Sequence, residues 1–141
     1  MIIKQLSIFL ENKAGRLTEV TEILADKEIN IAALCIAETS DYGILRLIVN
    51  APDKAVATLK EKGFSVSLTD VLCILIPHKI GALADATKKL SESNISVEYM
   101  YAFAMGDKTP VIIRVDEIDR ANKIIGKLGI QQISTEDIYR L

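Results

Sequence analysis

The chain repeats itself at an offset of 66 residues, and a period of that size constrains the fold more than any local propensity does. Shifting the sequence by that offset without a gap sets Ile8 on Ile74, Lys13 on Lys79, Gly15 on Gly81, Leu17 on Leu83, Leu24 on Leu90 and Ile29 on Ile95. The match continues through Asp41 on Asp107, Val49 on Val115, Ala55 on Ala121 and Gly63 on Gly129. These are apolar or turn-forming positions, which indicates a tandem duplication with its seam near Asp70. Two domains follow, one over residues 1–69 and one over 70–141.

Each copy carries the same order of local signals. An apolar strand (about Ile2 to Leu10; Val71 to Pro77) runs into the Gly15 or Gly81 turn. A helix follows with Leu17, Val20 and Leu24, or Leu83, Ala86 and Leu90, on one face, where they anchor it in the core. A second strand (Ile31 to Glu38; Ile95 to Ala104) is joined by a polar turn to a third (Gly43 to Val49; Pro110 to Val115). Asn50 and Asp116 stand where helix N-caps belong, and Gly63 and Gly129 end the second helix. A short last strand closes each unit, near Phe64 to Leu68 and Ile130 to Ser134. The order βαββαβ, taken twice, is the α+β ferredoxin-like arrangement, an antiparallel sheet with both helices on one face. Both sides of the second and third strands are apolar: Ala32, Leu34 and Ile36 oppose Ile31, Ala33 and Cys35, and Ile44 and Ile48 oppose Leu45 and Leu47. Something must cover the outward side, so the two copies are expected to pair side by side, with a homodimer covering much of the remainder.

Composition removes several function classes. A formal net charge of -2 gives no basic excess for neutralising phosphates or an anionic membrane surface, so neither nucleic acid nor membrane is an expected partner. The longest apolar run, Val71 to Ile76, is far short of the roughly 20 residues that span a bilayer. The N-terminal segment reads as a strand, not an export signal, and the cytoplasm is the expected location. Cys35 and Cys73 fit no ligand spacing and are expected to be buried and reduced. His78 is the single histidine. No metal, cofactor or catalytic constellation is expected, and the chain is not expected to be an enzyme.

The glycine junctions are the candidate site. The first amides of a helix lack intrahelical acceptors and carry partial positive charge, which suits a carboxylate, and a glycine lets the backbone turn sharply and approach a ligand. Asn12 and His78, three residues before each glycine, stand at the strand end where they can orient a polar ligand. The same stretch also reads as a plain turn in which Asn12 caps the backbone.

"NKAGRLTEVTEILADKEINIAAL" resembles the first strand, loop and helix of ACT domains, and "HKIGALADATKKLSESNISVEYM" is a looser match to the same pattern. The resemblance covers essentially the whole chain as two copies. It implies a ferredoxin-like fold, paired domains and a regulatory module that binds a free amino acid where domains meet. In the serine-sensing branch, an Asn in the first loop and an Asn at the start of the second strand hold the effector; those positions fall here on Asn12 and Asn30. The implied contacts are the first loop, Asn12, Lys13, Ala14, Gly15, Arg16 and Leu17, with Asn30 and Ile31. In the second copy they are His78, Lys79, Ile80, Gly81, Ala82 and Leu83, with Ser96. Ala14 and Ile80 replace the family's frequent proline, and His78 and Ser96 replace the two asparagines, so the two sites need not share a ligand.

Three functions compete. The first is a stand-alone amino-acid sensor or the regulatory small subunit of a separate metabolic enzyme. The second is a protein-interaction module with empty loops. The third is an acylphosphatase-like hydrolase, for which Arg16 is the only loop arginine and Ala82 replaces it in the second copy. Tyr99, Tyr101 and Phe103 share a strand face and read first as packing groups.

Overall fold

The computed structural model describes residues 1–141. In chain order it contains β1 (Ile2–Glu11), α1 (Arg16–Asp26), β2 (Ile31–Glu38), β3 (Tyr42–Val49), α2 (Pro52–Glu61) and β4 (Ser65–Pro77). These are followed by α3 (Ala82–Glu92), β5 (Val97–Ala102), β6 (Lys108–Val115), α4 (Ile118–Lys127), β7 (Gln131–Gln132) and α5 (Thr135–Ile138). Contacts divide the chain into a first unit, Lys4–Thr69, and a second, Met1–Ile3 with Asp70–Leu141.

In the first unit β3 lies between β1 and β2, both antiparallel to it, and β4 flanks β1 on its other side. Thr69 on β4 meets Ser7 on β1, hydroxyl to hydroxyl, at 2.9 Å. The second unit repeats this plan: β6 lies between β4 and β5, and β7 pairs with β4 through Ile74 and Leu75. Each is the strand order of a ferredoxin-like sheet, as the repeat implies.

Alternation decides which residues make each core. Leu6, Ile8, Leu45 and Leu47 project from one side of the first sheet onto Val20 and Leu24 of α1 and Ala55 and Leu59 of α2. Leu72, Ile74, Val111 and Ile113 meet Ala86, Leu90, Ala121 and Ile125 in the same way in the second unit. The opposite side of these strands is also apolar, and Ile3, Ile48, Val71, Cys73 and Ile112 on it are buried. Phe9 and Ile44 on that side stay exposed, with Phe9 stacked on Tyr42 at 4.8 Å.

Several local expectations need correction. The strands expected near Phe64 to Leu68 and from Val71 are one continuous β4, because no glycine, proline or asparagine interrupts Ser65 to Ile76. The strand expected over Ile130 to Ser134 shrinks to two residues, because Ser134 and Asp137 form a reciprocal capping box that starts α5. The Ser134 amide and hydroxyl both donate to Asp137, which holds its carboxyl below the ordinary aspartate range. Leu17 and Leu83 do not anchor their helices: at 40% and 44% exposure they occupy the first turn, beyond the cover of the sheet. Asn50 and Asp116 are not N-caps, since the helices begin one residue later, after Ala51 and Glu117. Phe103 lies outside β5 and is exposed, whereas Tyr99 and Tyr101 are half-buried. Cys73 is buried, and Cys35 only half so.

Candidate functional site

The two junctions have the same geometry, residue for residue. Gly15 has φ 91° and Gly81 φ 86°, in the left-handed region open to glycine, and each stands directly before its helix with no side chain capping it. Glu19 N donates to Gly15 O at 2.9 Å, and Asp85 N donates to Gly81 O at the same distance. Lys13 N turns back onto Glu11 O, and Lys79 N onto Pro77 O. The remaining amides of each bend, Ala14, Gly15, Leu17 and Thr18 in one copy and Ile80, Gly81, Leu83 and Ala84 in the other, have no backbone acceptor. They form a row of donors at the start of an 11-residue helix, which favours an anionic group.

The strand ends are tied to the hairpin beside them. Asn12 N donates to Asp41 O and His78 N to Asp107 O, both at 2.8 Å. The Asn12 side-chain amide donates to Ser40 O at 3.3 Å, and His78 Nδ1 lies 3.5 Å from the Thr109 hydroxyl. All four loop residues from Asn12 to Gly15 are exposed, as are His78 to Gly81. Lys13 reaches Glu11 at 3.9 Å across open solvent. Arg16 differs in kind: it bridges Glu19 at 3.0 Å and Glu11 at 3.6 Å. The Glu19 hydrogen bond, and then the Glu11 charge, raise its pKa above the ordinary arginine value. Arg16 is thus committed to two carboxylates of its own unit.

Within one unit the structure does not bring the two parts of the implied site together. Glu11 pairs with Tyr42 at one end of β3, and Ile31 pairs with Val49 at the other. Eight residues of β3 therefore separate Asn12 from Asn30, about 23 Å at roughly 3.3 Å per residue. The same holds for His78 and Ser96, which flank the two ends of β6. No free amino acid reaches both from within one unit.

Asn30 and Ser96 themselves are exposed and firmly held. Asn30 N donates to Asn50 Oδ1 at 3.0 Å, and Asn50 N donates back to Asn30 O at 3.3 Å. Ser96 N donates to Asp116 Oδ1 at 3.2 Å, and Asp116 N returns a bond to Ser96 O. Asn50 and Asp116 thus fasten the start of the second strand. Their sequence signal is a 20-residue spacing that recurs in both copies, Asn30 to Asn50 and Ser96 to Asp116.

Comparison with known proteins bears on the family and the fold. The family model described as an ACT domain pair matches residues 1–141. A crystal structure of protein BT0572 from Bacteroides thetaiotaomicron superposes with a TM-score of 0.95 at 48% identity, covering 100% of this chain and 98% of that one. The regulatory subunit of aspartate kinase from Thermus thermophilus, in its ligand-free form, gives a TM-score of 0.63 at 14% identity over 88% of this chain and 91% of its own. The corresponding subunit from Thermus flavus gives 0.63 at 13% identity over 99% and 95%. At those identities the kinase subunits share the fold alone. A search of curated proteins returns no match. Two βαββαβ units with duplicated glycine junctions, matched end to end by the family model, make the chain a member of the ACT domain family, in the form of an ACT domain pair.

Proposed function

We propose that this protein is a non-catalytic regulatory module that binds a free amino acid through its strand-to-helix loops. The observation that carries the reading is the duplicated bend, a left-handed glycine followed by helix amides without acceptors at both Gly15 and Gly81. A carboxylate on those amides and an ammonium on Asn12 Oδ1 match an amino acid's two charges. Hydrogen bonds to charged groups contribute about 1.5 to 3 kcal/mol each, whereas association costs roughly 4 to 15 kcal/mol. One exposed loop is therefore too weak on its own. The reading requires a second wall, and Asn30 or Ser96 from another unit or another copy of the chain is its candidate, which is why a homodimer belongs to the proposal. Domains of residues 1–69 and 70–141, each an ACT copy, and action in the cytoplasm on a separate enzyme of amino-acid metabolism complete it. The likeness to aspartate kinase regulatory subunits supports that setting. No helix is long and apolar enough to cross a membrane.

A second reading rests on a different observation: Ile80 is fully exposed, and Leu34 and Ile36 on edge strand β2 are 55% and 43% exposed. These side chains suit a protein-interaction surface that needs no small ligand. Thermal-shift screening of the full chain against the twenty amino acids separates the two. A true effector at 100 times its Kd stabilises by about 2.7 kcal/mol, and Gly81→Ala or Asn12→Ala reduces that gain. A flat response to all twenty removes the sensor reading and leaves the interaction reading.

A further inference from the structure

The loop after β4 is flanked by two clefts. One is lined by His78 and Leu83 together with Thr109. The other, of about 540 Å³, adjoins it through Ile76, Pro77, Lys79 and Ala82, and is lined further by Leu75 and Ile130 and by Asp85, Ala86 and Lys89 of α3. Position for position it corresponds to a cleft of about 290 Å³ in the first unit, lined by Phe9, Leu10 and Phe64 and by Arg16 and Glu19.

The two clefts differ in charge. In the first unit Arg16 and Lys62 face Glu11 and Glu19, so the cleft is neutral, and Arg16 is held across it by both carboxylates. In the second unit Ala82 replaces Arg16, Pro77 replaces Glu11 and Lys108 replaces Tyr42. Three lysines, Lys79, Lys89 and Lys108, then face one aspartate. Asp85 engages Lys89 at 3.1 Å, and no carboxylate pairs with Lys79 or Lys108. Lys89 and Lys108 are half-buried rather than free in solvent. Like charges gathered around a concave, low-dielectric floor focus a positive potential that draws in an anion.

We propose that this second-unit cleft binds a small dianion, whose two charges are met by Lys79 and Lys108 while Lys89 stays on Asp85. A zwitterion brings no net charge to offset two ammonium groups, so the ligand class differs from that of the loop amides. The cleft shares Lys79 to Ala82 with the loop of the amino-acid reading, whereas Lys89, Lys108 and Gly129 to Gln131 lie outside that loop, so the proposal rests on the lysines and is tested separately at Lys108. The shared chemistry is two negative charges within one small molecule, supplied by a phosphate monoester or by a dicarboxylate.

The test titrates the ¹⁵N-labelled full chain with inorganic phosphate and, separately, with succinate, at constant ionic strength set by sodium chloride. Saturable amide shifts at Lys79 to Ala86 and Gly129 to Gln131 are expected. The Lys79→Gln/Lys108→Gln double variant, which removes both charges at residues outside the hydrophobic core, weakens binding about tenfold or more, and Lys108→Gln alone weakens it as well. Lys60→Gln/Lys88→Gln, away from the cleft, leaves binding unchanged. Saturation by phosphate alone assigns a phosphorylated ligand, and saturation by succinate alone a dicarboxylate. Shifts that grow linearly, that chloride reproduces, or that persist undiminished in the double variant overturn the proposal.

Discussion

Three glycines offer one substitution with opposite expected signs. Replacing Gly15, Gly81 or Gly126 by alanine puts a methyl into open space in every case, since nothing lies within 4 Å of the added Cβ. Sterics with neighbours therefore cancel from the comparison, and the backbone alone decides. At φ 91° and 86° an L side chain collides with its own carbonyl, at a cost of roughly 1–2 kcal/mol. The unfolded chain becomes less flexible in compensation, which returns about 0.4–1 kcal/mol. Gly15→Ala and Gly81→Ala are thus each destabilising by about 0.5–1 kcal/mol. Gly126 sits in the last turn of α4 with ordinary helical backbone, so Gly126→Ala stabilises by about 0.5–1 kcal/mol. Urea denaturation followed by circular dichroism reads the difference. With a slope near 2 kcal/mol/M, the midpoints move by about 0.3–0.5 M, downward for the two bends and upward for the helix. A Gly81→Ala midpoint that rises alongside that of Gly126→Ala would refute the claim that the bends require a residue without a Cβ.

Two further substitutions and a pH series extend the test. Asp116 accepts from both Ser96 N and Glu117 N, whereas Asn50 accepts from Asn30 N. Asp116→Ala should cost about 2 kcal/mol and Asn50→Ala about 1 kcal/mol in the same urea assay, with faster hydrogen exchange at Ser96 and Asn30 respectively. Burial pushes the Cys73 thiol up to about 12, so the unfolded chain loses this proton first, near pH 8.5. Stability should fall as pH rises from there toward about 12, by up to about 1.4 kcal/mol per pH unit, and the Cys73→Ala variant should show a shallower decline. Thiol labelling of the native protein at pH 8 should modify Cys35 and spare Cys73.

The parts of the fold that were legible in the sequence are those set by short-range periodicity. Alternation at Leu6, Ile8 and Leu10 identifies the buried side of β1, and the glycines at 15 and 81 mark turns that only a left-handed residue completes. What escaped depends on partners distant in sequence or on how far an element extends past its neighbour. Leu17 fits the apolar stripe of α1, yet a stripe does not say where the sheet beneath it stops. Asn50 has the side chain of a helix cap, and a hydrogen bond to Asn30 20 residues earlier outcompetes that local role. The junction geometry was readable from a glycine and its spacing. The 23 Å between the two implied halves of the site was not, because it follows from strand pairing. Nor was the locking of Arg16, since two carboxylates on separate elements have to converge on it.

Arg16 and Ala82 occupy matching places in two fused copies, and fusion is what permits them to differ. A pair built from identical single-domain polypeptides would carry the arginine twice or lack it twice, and so could only be obstructed on both sides or vacant on both. One continuous polypeptide holding both versions escapes that symmetry. Whatever lodges opposite Ala82 should do so once per polypeptide, with a hyperbolic isotherm rather than a sigmoidal one inside each molecule.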